Sequence, residues 1–246
     1  MVNKTEKQGN IMKSKVALVT GAGRGIGLAT ACLLLENQIH TIIVDYDREL
    51  LEEVEKELKS ELLETYCVDV TKEDEVNNLC TAVLKKHGAV DILINNAGIF
   101  RPDRGLFYES KSEHWRKKID CNIYGTLYFT RALINPMIEQ RYGSIVNLCS
   151  VMADYGTKNM VDYSLTKGAI KSFTIALAKE VAEFNVRVNC VSPGNIEPDN
   201  RYPEMSYMNR SGSYKECAEV IWFLASDNAS FVTGCNYTVD GGRKKI

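Results

Sequence analysis

Two residues one helical turn apart are the first sign of chemistry in this chain. Tyr163 and Lys167 are four positions apart, so in a helix both side chains project from one face. A phenol titrates near pH ~10, and a neighbouring ammonium lowers that pKa because it favours the phenolate. Ser150 ends the apolar run 145–149, and its hydroxyl can donate to a carbonyl oxygen. Together these side chains predict a device that moves a proton on and off an alcohol oxygen.

A glycine-rich turn near the start predicts a dinucleotide site. The apolar strand 15–20 runs directly into the G-x-x-x-G-x-G turn of residues 21–27, and a helical run without breakers follows. Strand, glycine turn and helix open a βαβ unit whose helix start attracts a pyrophosphate. Asp45 ends the next predicted strand, where a carboxylate can accept hydrogen bonds from ribose hydroxyls.

These motifs resemble the short-chain dehydrogenase/reductase family over nearly the whole chain, from about Lys13 to Gly242. The turn at 20–27 is similar to the family's T-G-x-x-x-G-I-G, and 95–98 to its N-N-A-G. Residues 193–194 match its P-G, and 239–242 match its V-D-G-G. The family's catalytic tetrad falls on Asn122, Ser150, Tyr163 and Lys167.

The resemblance implies a role for each member of the tetrad. Tyr163 is the general acid in reduction and the general base in oxidation. Lys167 lowers the pKa of Tyr163 and hydrogen-bonds the nicotinamide ribose, and Ser150 polarises the substrate carbonyl. Asn122 distorts a long helix and holds a water that links Lys167 to solvent. Cys149, beside Ser150, is either a nucleophile or, as we favour, a core thiol pointing away from the site.

The resemblance also implies a cofactor site and favours NAD over NADP. Asp45 would repel the 2′-phosphate of NADP, whereas Arg24 or Arg48 would attract it. Asp69 either contacts the adenine or caps the helix that begins near Lys72. The predicted cofactor-binding residues are Gly21, Arg24, Gly25, Ile26, Gly27, Asp45, Tyr46, Asp69, Val70, Asn96, Ala97, Gly98, Tyr163, Lys167, Pro193, Gly194 and Ile196.

The chain departs from the family pattern on the substrate side. Pro198 replaces a threonine that reaches the nicotinamide carboxamide in relatives, and residues 199–209, the lid segment, are short. Asp154 either binds a cationic or hydroxylated substrate or faces solvent. The predicted substrate-side residues are Met152, Asp154, Tyr155, Met160 and Asn195.

Composition predicts one α/β domain without nucleic-acid or membrane partners. The 246 residues carry 30 basic and 32 acidic side chains, so no strong charge imbalance points to nucleic acid. No apolar stretch is long enough for a membrane span, and the polar start is not a signal peptide. The eight cysteines are scattered, which favours a reduced, cytoplasmic protein. The spacing of the three histidines, 40, 87 and 114, predicts no metal site.

Alternating strand and helix patterns predict a Rossmann-type, doubly wound parallel sheet of about seven strands with helices on both faces. Residues 1–13 are expected to be a flexible arm and 14–246 a single NAD(P)-binding catalytic domain. Strands are expected near 15–20, 40–45, 64–69, 90–95, 143–149, 186–191 and 236–239. Helices are expected near 25–37, 48–60, 72–87, 112–140, 161–184 and 214–226.

Three functional hypotheses follow. The first is an NAD-dependent alcohol dehydrogenase or ketone reductase acting on a small secondary alcohol or ketone. The second is a 3-oxoacyl-carrier reductase using NADPH. The third is a catalytically weak nucleotide sensor or scaffold, which the intact tetrad opposes. The resemblance further implies a homotetramer or homodimer built through helices 112–140 and 161–184 and the last helix and strand.

Overall fold

Seven parallel strands form one sheet in the computed structural model, which describes residues 15–100, 105–197 and 199–244. The sheet order is β3-β2-β1-β4-β5-β6-β7. This confirms the predicted doubly wound α/β fold. The expected flexible arm, residues 1–13, and Pro198 lie outside the described residues. The strands are β1 (Val16–Thr20), β2 (His40–Asp45), β3 (Leu63–Cys67), β4 (Ile92–Asn95), β5 (Gly143–Leu148), β6 (Val186–Pro193) and β7 (Asn236–Val239).

Helices cover both faces of this sheet. Side chains alternate along a strand, so Leu18 of β1 packs on one face and Val19 on the other. Helices α3, α5 and α7 cover the Leu18 face, and α1, α2 and α8 cover the Val19 face. The helices are α1 (Gly25–Glu36), α2 (Arg48–Leu58), α3 (Glu73–His87), α4 (Ser112–Ile119), α5 (Gly125–Glu139), α6 (Met152–Tyr155), α7 (Val161–Val181) and α8 (Tyr214–Ala225). No helix among these described ranges is long and apolar enough to span a membrane.

The sheet reverses its direction of growth at β1. Strand β1 pairs with β2 on one side and β4 on the other, which opens a crevice at the carboxyl ends of β1 and β4. Asn96 closes the base of this crevice. Its side-chain amide donates to the carbonyls of Thr20 at 2.9 Å and Gly21 at 2.8 Å. The glycine turn is therefore fixed to the end of β4.

The predicted helix 112–140 is interrupted in the structure. A π-helical turn, Asp120–Tyr124, separates α4 from α5. Such turns insert one extra residue and shift the phase of the side chains that follow. The turn carries Asn122, whose amide bonds to the backbone of Ile99 instead of facing solvent. The predicted helix 161–184 ends earlier, at Val181, and the single turn α6 is absent from the sequence prediction.

A buried polar chain holds the middle of the sheet to its helices. The Asn95 amide of β4 donates to Asn147 of β5 at 2.8 Å and to Thr130 of α5 at 3.0 Å. Asn147 in turn donates to Thr174 of α7 at 2.9 Å. All four side chains are buried, so each bond also avoids the cost of an unpaired polar group. The chain fixes α5 and α7 relative to β4 and β5.

Glu64 lies at the centre of an ionic cluster at the amino ends of β2 and β3, away from the crevice. The spacing of the histidines in the sequence does not predict this cluster. Nε2 of His40 and Nε2 of His87 lie 2.6 and 2.9 Å from Oε1 of Glu64. Two imidazoles and a carboxylate form a ligand set that zinc accepts, but here the Lys86 ammonium lies 2.9 Å from the same oxygen. Burial would raise the pKa of Glu64, yet hydrogen bonds from Lys86, Tyr66 and His40 lower it to about 2.

Replacement of this carboxylate should cost stability in a pH-dependent way. The folded-state pKa of Glu64 lies below its ordinary value of 4.5, so its contribution is present above that value and is lost as pH falls through about 2. Glu64→Gln should lower the Tm at about pH 7 and lower it less at about pH 3. Glu61→Gln, an exposed neighbour, is the control in the same thermal scans. An equal drop at both pH values would contradict this assignment.

Candidate active site

A cavity of about 520 Å³ lies at the carboxyl ends of the central strands. It brings together residues that are far apart in sequence, from the glycine turn to the end of β6. The predicted site residues that line it are Ile26, Asn96, Gly98, Ser150, Met152, Met160, Tyr163, Lys167, Pro193, Gly194, Asn195 and Ile196.

Lys167 is a buried cation at the base of the cavity. Its Nζ donates to the carbonyl of Leu148, at the end of β5, over 2.6 Å. No carboxylate among the described residues forms a salt bridge with it, and its side chain is only slightly exposed. Burial lowers the pKa of Lys167 because the charged form loses hydration. The ammonium lies 5.7 Å from the centre of the Tyr163 ring.

The phenol of Tyr163 behaves differently from the sequence-based expectation. Burial raises the pKa of Tyr163 well above its ordinary value, and a hydrogen bond with Ser150 only partly opposes that rise. Burial thus acts against the lowering expected from Lys167, because the phenolate loses hydration. The effect of Lys167 on the pKa of Tyr163 stays a prediction. The Phe100 ring packs edge-on against it, with the ring centres 5.0 Å apart.

Ser150 lies two residues after the end of β5 and is fixed by the turn that follows it. Its Oγ accepts a hydrogen bond from the Met152 amide at 3.2 Å, where α6 begins. The neighbouring Cys149 thiol donates to the Lys167 carbonyl at 3.1 Å and is buried. Cys149 nevertheless lines the cavity, which differs from the favoured expectation that its thiol points away from the site, while the hydrogen bond to a backbone carbonyl is typical of a packed thiol.

Asn122 is held by the π-helical turn against the strand side of the site. Its Oδ1 accepts from the Ile99 amide at 2.7 Å, and its Nδ2 donates to Thr166 Oγ1 at 3.0 Å. A Cβ placed on Gly98 would lie 3.3 Å from Asn122 Oδ1 and 3.5 Å from Lys167 Nζ. The amide and the ammonium therefore both face the empty side of Gly98.

The glycine turn leaves a cradle that fits a dinucleotide. Gly21 has a φ of +62°, and a Cβ there would lie 2.7 Å from Ala97 Cα. A Cβ on Gly27 would lie 2.4 Å from the Gly21 carbonyl, so only glycine fits at this position of the turn. Helix α1 begins at Gly25 without a side-chain cap, which leaves its start suited to a pyrophosphate.

Asp45 is fixed beside this cradle. Its carboxylate accepts from the Gly23 amide at 2.9 Å and the Asp47 amide at 3.2 Å, and the residue is 6% exposed. Tyr46 is 70% exposed, and both Arg24 and Arg48 are exposed. A carboxylate held this firmly presents a fixed negative charge to any group that enters beside the turn.

Asp69 does not cap α3. Its Oδ1 accepts from the amide and the hydroxyl of Thr71, at 2.9 and 2.8 Å, and the residue before α3, Lys72, makes no side-chain cap. The capping alternative is therefore wrong, and the adenine contact stays a prediction. Val70 is buried, and a Cβ on Gly125 of α5 would lie 2.9 Å from its side chain.

Two of the five predicted substrate-side residues do not line the cavity. Asp154 forms a salt bridge with Lys171, and the buried Tyr155 hydroxyl is not part of the cavity lining. The reason is α6, a single helical turn, in which residues two positions apart face opposite sides. Met152 therefore faces the cavity while Asp154 faces away. Asn195 lines the cavity and donates to Tyr202 O and Ser211 Oγ, at 3.1 and 2.7 Å.

The lid segment is joined to the chain that follows β7. The Lys244 amide donates to the Met205 carbonyl at 3.0 Å, and the Tyr207 amide donates to the Gly242 carbonyl at 3.0 Å. This contact brings residues into the cavity wall that no motif marks. The cavity-lining residues missed by the sequence analysis include Phe100, Thr157, Lys158, Asn159, Tyr202, Glu204, Met205 and Arg243.

A methyl group on Gly98 should disturb proton transfer more than folding. Gly98→Ala places a carbon against the Asn122 amide and the Lys167 ammonium, so we expect turnover to fall at least tenfold while the Tm changes little. Gly168→Ala is the matched control, because nothing lies within 4 Å of a Cβ at that position of α7. Steady-state kinetics and thermal scans of both variants measure this. Turnover retained in Gly98→Ala would show that this space has no role in catalysis.

Comparison with known proteins agrees with the geometry of the site. The family model described as short chain dehydrogenase matches residues 15–206. A 3-oxoacyl-[acyl-carrier-protein] reductase of Thermotoga maritima is 37% identical over 243 residues, 94% of this chain and 98% of the relative. Solved structures titled ElxO with NADP bound and NAD⁺-bound xylitol dehydrogenase each give a TM-score of 0.88. They are 31% and 32% identical, cover 93% and 94% of this chain, and are themselves covered over 98% and 100% of their lengths. The chain belongs to the short-chain dehydrogenase family of oxidoreductases.

Proposed function

We propose that this chain reduces a ketone to a secondary alcohol, with Tyr163 as the proton donor. The observation that carries the proposal is that the Tyr163 phenol, the Ser150 hydroxyl and the Lys167 ammonium line one cavity that reaches the glycine turn. A bound nicotinamide dinucleotide supplies or accepts the hydride. Gly21, Gly25 and Gly27 would hold its pyrophosphate, and Asp45 its ribose.

The side chains of the tetrad handle the proton. Ser150 donates a hydrogen bond to the substrate carbonyl oxygen and stabilises the charge that develops there. Tyr163 transfers its phenolic proton to that oxygen. The Lys167 ammonium, 5.7 Å from the ring centre, stabilises the resulting phenolate in surroundings that hold little water. Asn122 faces the same side of Gly98 as Lys167, and it positions the path by which Tyr163 regains its proton.

We favour a 3-oxoacyl group on a carrier as the substrate. The support is the T. maritima relative, which matches over nearly its whole length and is called a 3-oxoacyl-carrier reductase. This reverses the order of the hypotheses drawn from sequence, which placed a general alcohol dehydrogenase first. A secondary-alcohol substrate remains the second candidate, supported by the xylitol dehydrogenase structure. The sensor hypothesis finds no support in a cavity that brings together Ser150, Tyr163 and Lys167.

We propose NAD as the preferred cofactor, and the buried Asp45 carboxylate is the support. Its charge lies beside the glycine turn and has no cationic partner among the described residues. A 2′-phosphate placed there would meet a fixed like charge, which costs binding energy. The comparisons leave the choice open, since one solved relative holds NADP and another holds NAD⁺.

We further propose that the protein is a homo-oligomer located in the cytoplasm. Tyr124, Leu165 and Val161 expose large apolar surfaces on the helices predicted to form subunit contacts, which supports a homodimer or homotetramer. All eight cysteines are free, which supports a reducing, cytoplasmic setting.

Removal of the phenolic oxygen should abolish catalysis without abolishing cofactor binding. Tyr163→Phe takes away the transferred proton, so kcat for reduction of a 3-oxoacyl thioester should fall by roughly 10³-fold or more. The Kd for NADH, followed by nicotinamide fluorescence, should change by less than about threefold. Tyr237→Phe, on β7 and outside the cavity, is the control. Comparable turnover in Tyr163→Phe and the parent would remove Tyr163 as the proton donor.

Neutralising Asp45 should weaken the discrimination against NADPH. Asp45→Asn keeps an oxygen for the Gly23 amide but removes the charge, so the ratio of the NADPH and NADH dissociation constants should fall about tenfold. Asp47→Asn is the matched control, because Asp47 caps α2 two residues away and asparagine also caps helices. A parent protein that binds NADPH more tightly than NADH would contradict the proposed NAD preference.

A further inference from the structure

A second cation lies in the catalytic cavity without a counter-ion. Arg243 lines this cavity, and its Nε is buried without a hydrogen-bond partner. No carboxylate within residues 15–100, 105–197 and 199–244 forms a salt bridge with its guanidinium. Arginines that are partly buried in proteins are generally paired, because an unpaired buried charge is costly. The described residues therefore supply no counter-ion for Arg243, which leaves its charge available to a ligand that enters the cavity.

The sheet order places this guanidinium on the substrate side of the cavity. Arg243 follows β7, at the sheet edge opposite β3, whereas the glycine turn follows β1 and lies next to β2. Its neighbour is Tyr155, at the end of α6 beyond Ser150. Burial raises the pKa of Tyr155, and the nearby charge of Arg243 opposes that rise. Arg243 is thus placed to meet the substrate rather than a phosphate of the dinucleotide.

The other charges of the cavity wall do not neutralise Arg243. Among the described residues, Glu204 also lines the cavity but forms no salt bridge with Arg243. Lys158 and Lys167 add two further cations to the same wall. Tyr155 interacts with the guanidinium through its hydroxyl, which supplies no negative charge and does not line the cavity. An anionic group that enters the cavity would supply the missing negative charge.

The backbone holds Arg243 in place before any ligand arrives. Ser206 and Arg243 form an antiparallel bridge, flanked by the hydrogen bonds from Tyr207 to Gly242 and from Lys244 to Met205. Asp240 accepts from the Gly242 amide at 3.0 Å, which fixes the turn before it. A preorganised donor loses little conformational entropy when it binds.

We propose that Arg243 binds an oxyanion of the substrate, so that this enzyme acts on ketones that carry a carboxylate or a phosphate. The inference rests on the proposed ketone reduction and narrows its substrate class. The oxyanion is either the carboxylate of a free 3-oxo acid or the phosphate of the arm that holds an acyl thioester. Guanidinium groups bind both with paired, charge-assisted hydrogen bonds.

The test compares Arg243→Gln and Arg243→Lys with the parent protein on four substrates. They are a 3-oxo acid, its neutral ethyl ester, its neutral N-acetylcysteamine thioester and its 4′-phosphopantetheine thioester. In Arg243→Gln we expect kcat/KM for the anionic substrate to fall roughly 10- to 100-fold, while the neutral ones change by less than about threefold. Arg243→Lys should recover part of the lost kcat/KM, because lysine keeps the positive charge but lacks the paired donors of the guanidinium. A loss confined to the free acid assigns the carboxylate, and one confined to the phosphopantetheine thioester assigns the phosphate.

Arg201→Gln is the matched control, because Arg201 lies on the lid segment, is half exposed, pairs with Asp199 and does not line the cavity. It removes the same charge and should leave all four rates near those of the parent. Equal losses on neutral and anionic substrates in Arg243→Gln would overturn the inference and make Arg243 a structural residue of the lid. A parent that reduces the neutral ester but shows no change with Arg243→Gln on either anion would also overturn it. A parent that reduces none of the four would instead overturn the proposed function itself.

Discussion

The buried ammonium of Lys167 is the constraint on which the site depends. Its hydrogen bond to the Leu148 carbonyl leaves its charge unneutralised, since no described carboxylate pairs with it. The cation must therefore be held by structure rather than by attraction to an acid. The Asn95–Asn147–Thr174 chain fixes α7 against β4 and β5, and Asn122 closes the remaining side. These buried hydrogen bonds hold the helix that carries Lys167, and therefore its ammonium, in place.

The raised pKa of Tyr163 and the lowered pKa of Lys167 have the same cause, which is the loss of hydration in the buried site. Burial disfavours the charged phenolate, and this raises the pKa of Tyr163. The arrangement suits a donor that gives up its proton only as charge develops on a bound carbonyl oxygen.

Most of the fold and the tetrad could be predicted from sequence, and the misses share a cause. Apolar runs locate all seven strands, and the spacing of Tyr163 and Lys167 on one helical face requires only local geometry. The π-helical turn depends on Asn122 reaching the Ile99 backbone, which is a tertiary contact that no local pattern encodes. Asp154 faces solvent, as the favoured alternative predicts, and its placement among the predicted substrate-side residues failed because α6 is a single turn, too short to leave a periodic pattern. His40, Glu64 and His87 meet only because β2, β3 and α3 are neighbours. Arg243 enters the cavity only through its pairing with the lid segment.

That pairing makes the lid segment and Arg243 one mechanical unit. The backbone bonds that join residues 205–207 to 242–244 lie outside the sheet, so they do not require the core to break when this part of the wall shifts. Any outward movement of the lid segment carries the guanidinium toward bulk solvent, where dissolved ions screen it. A substitution that displaces residues 205–207 would therefore also displace the guanidinium, even though it lies far from Arg243 in the sequence.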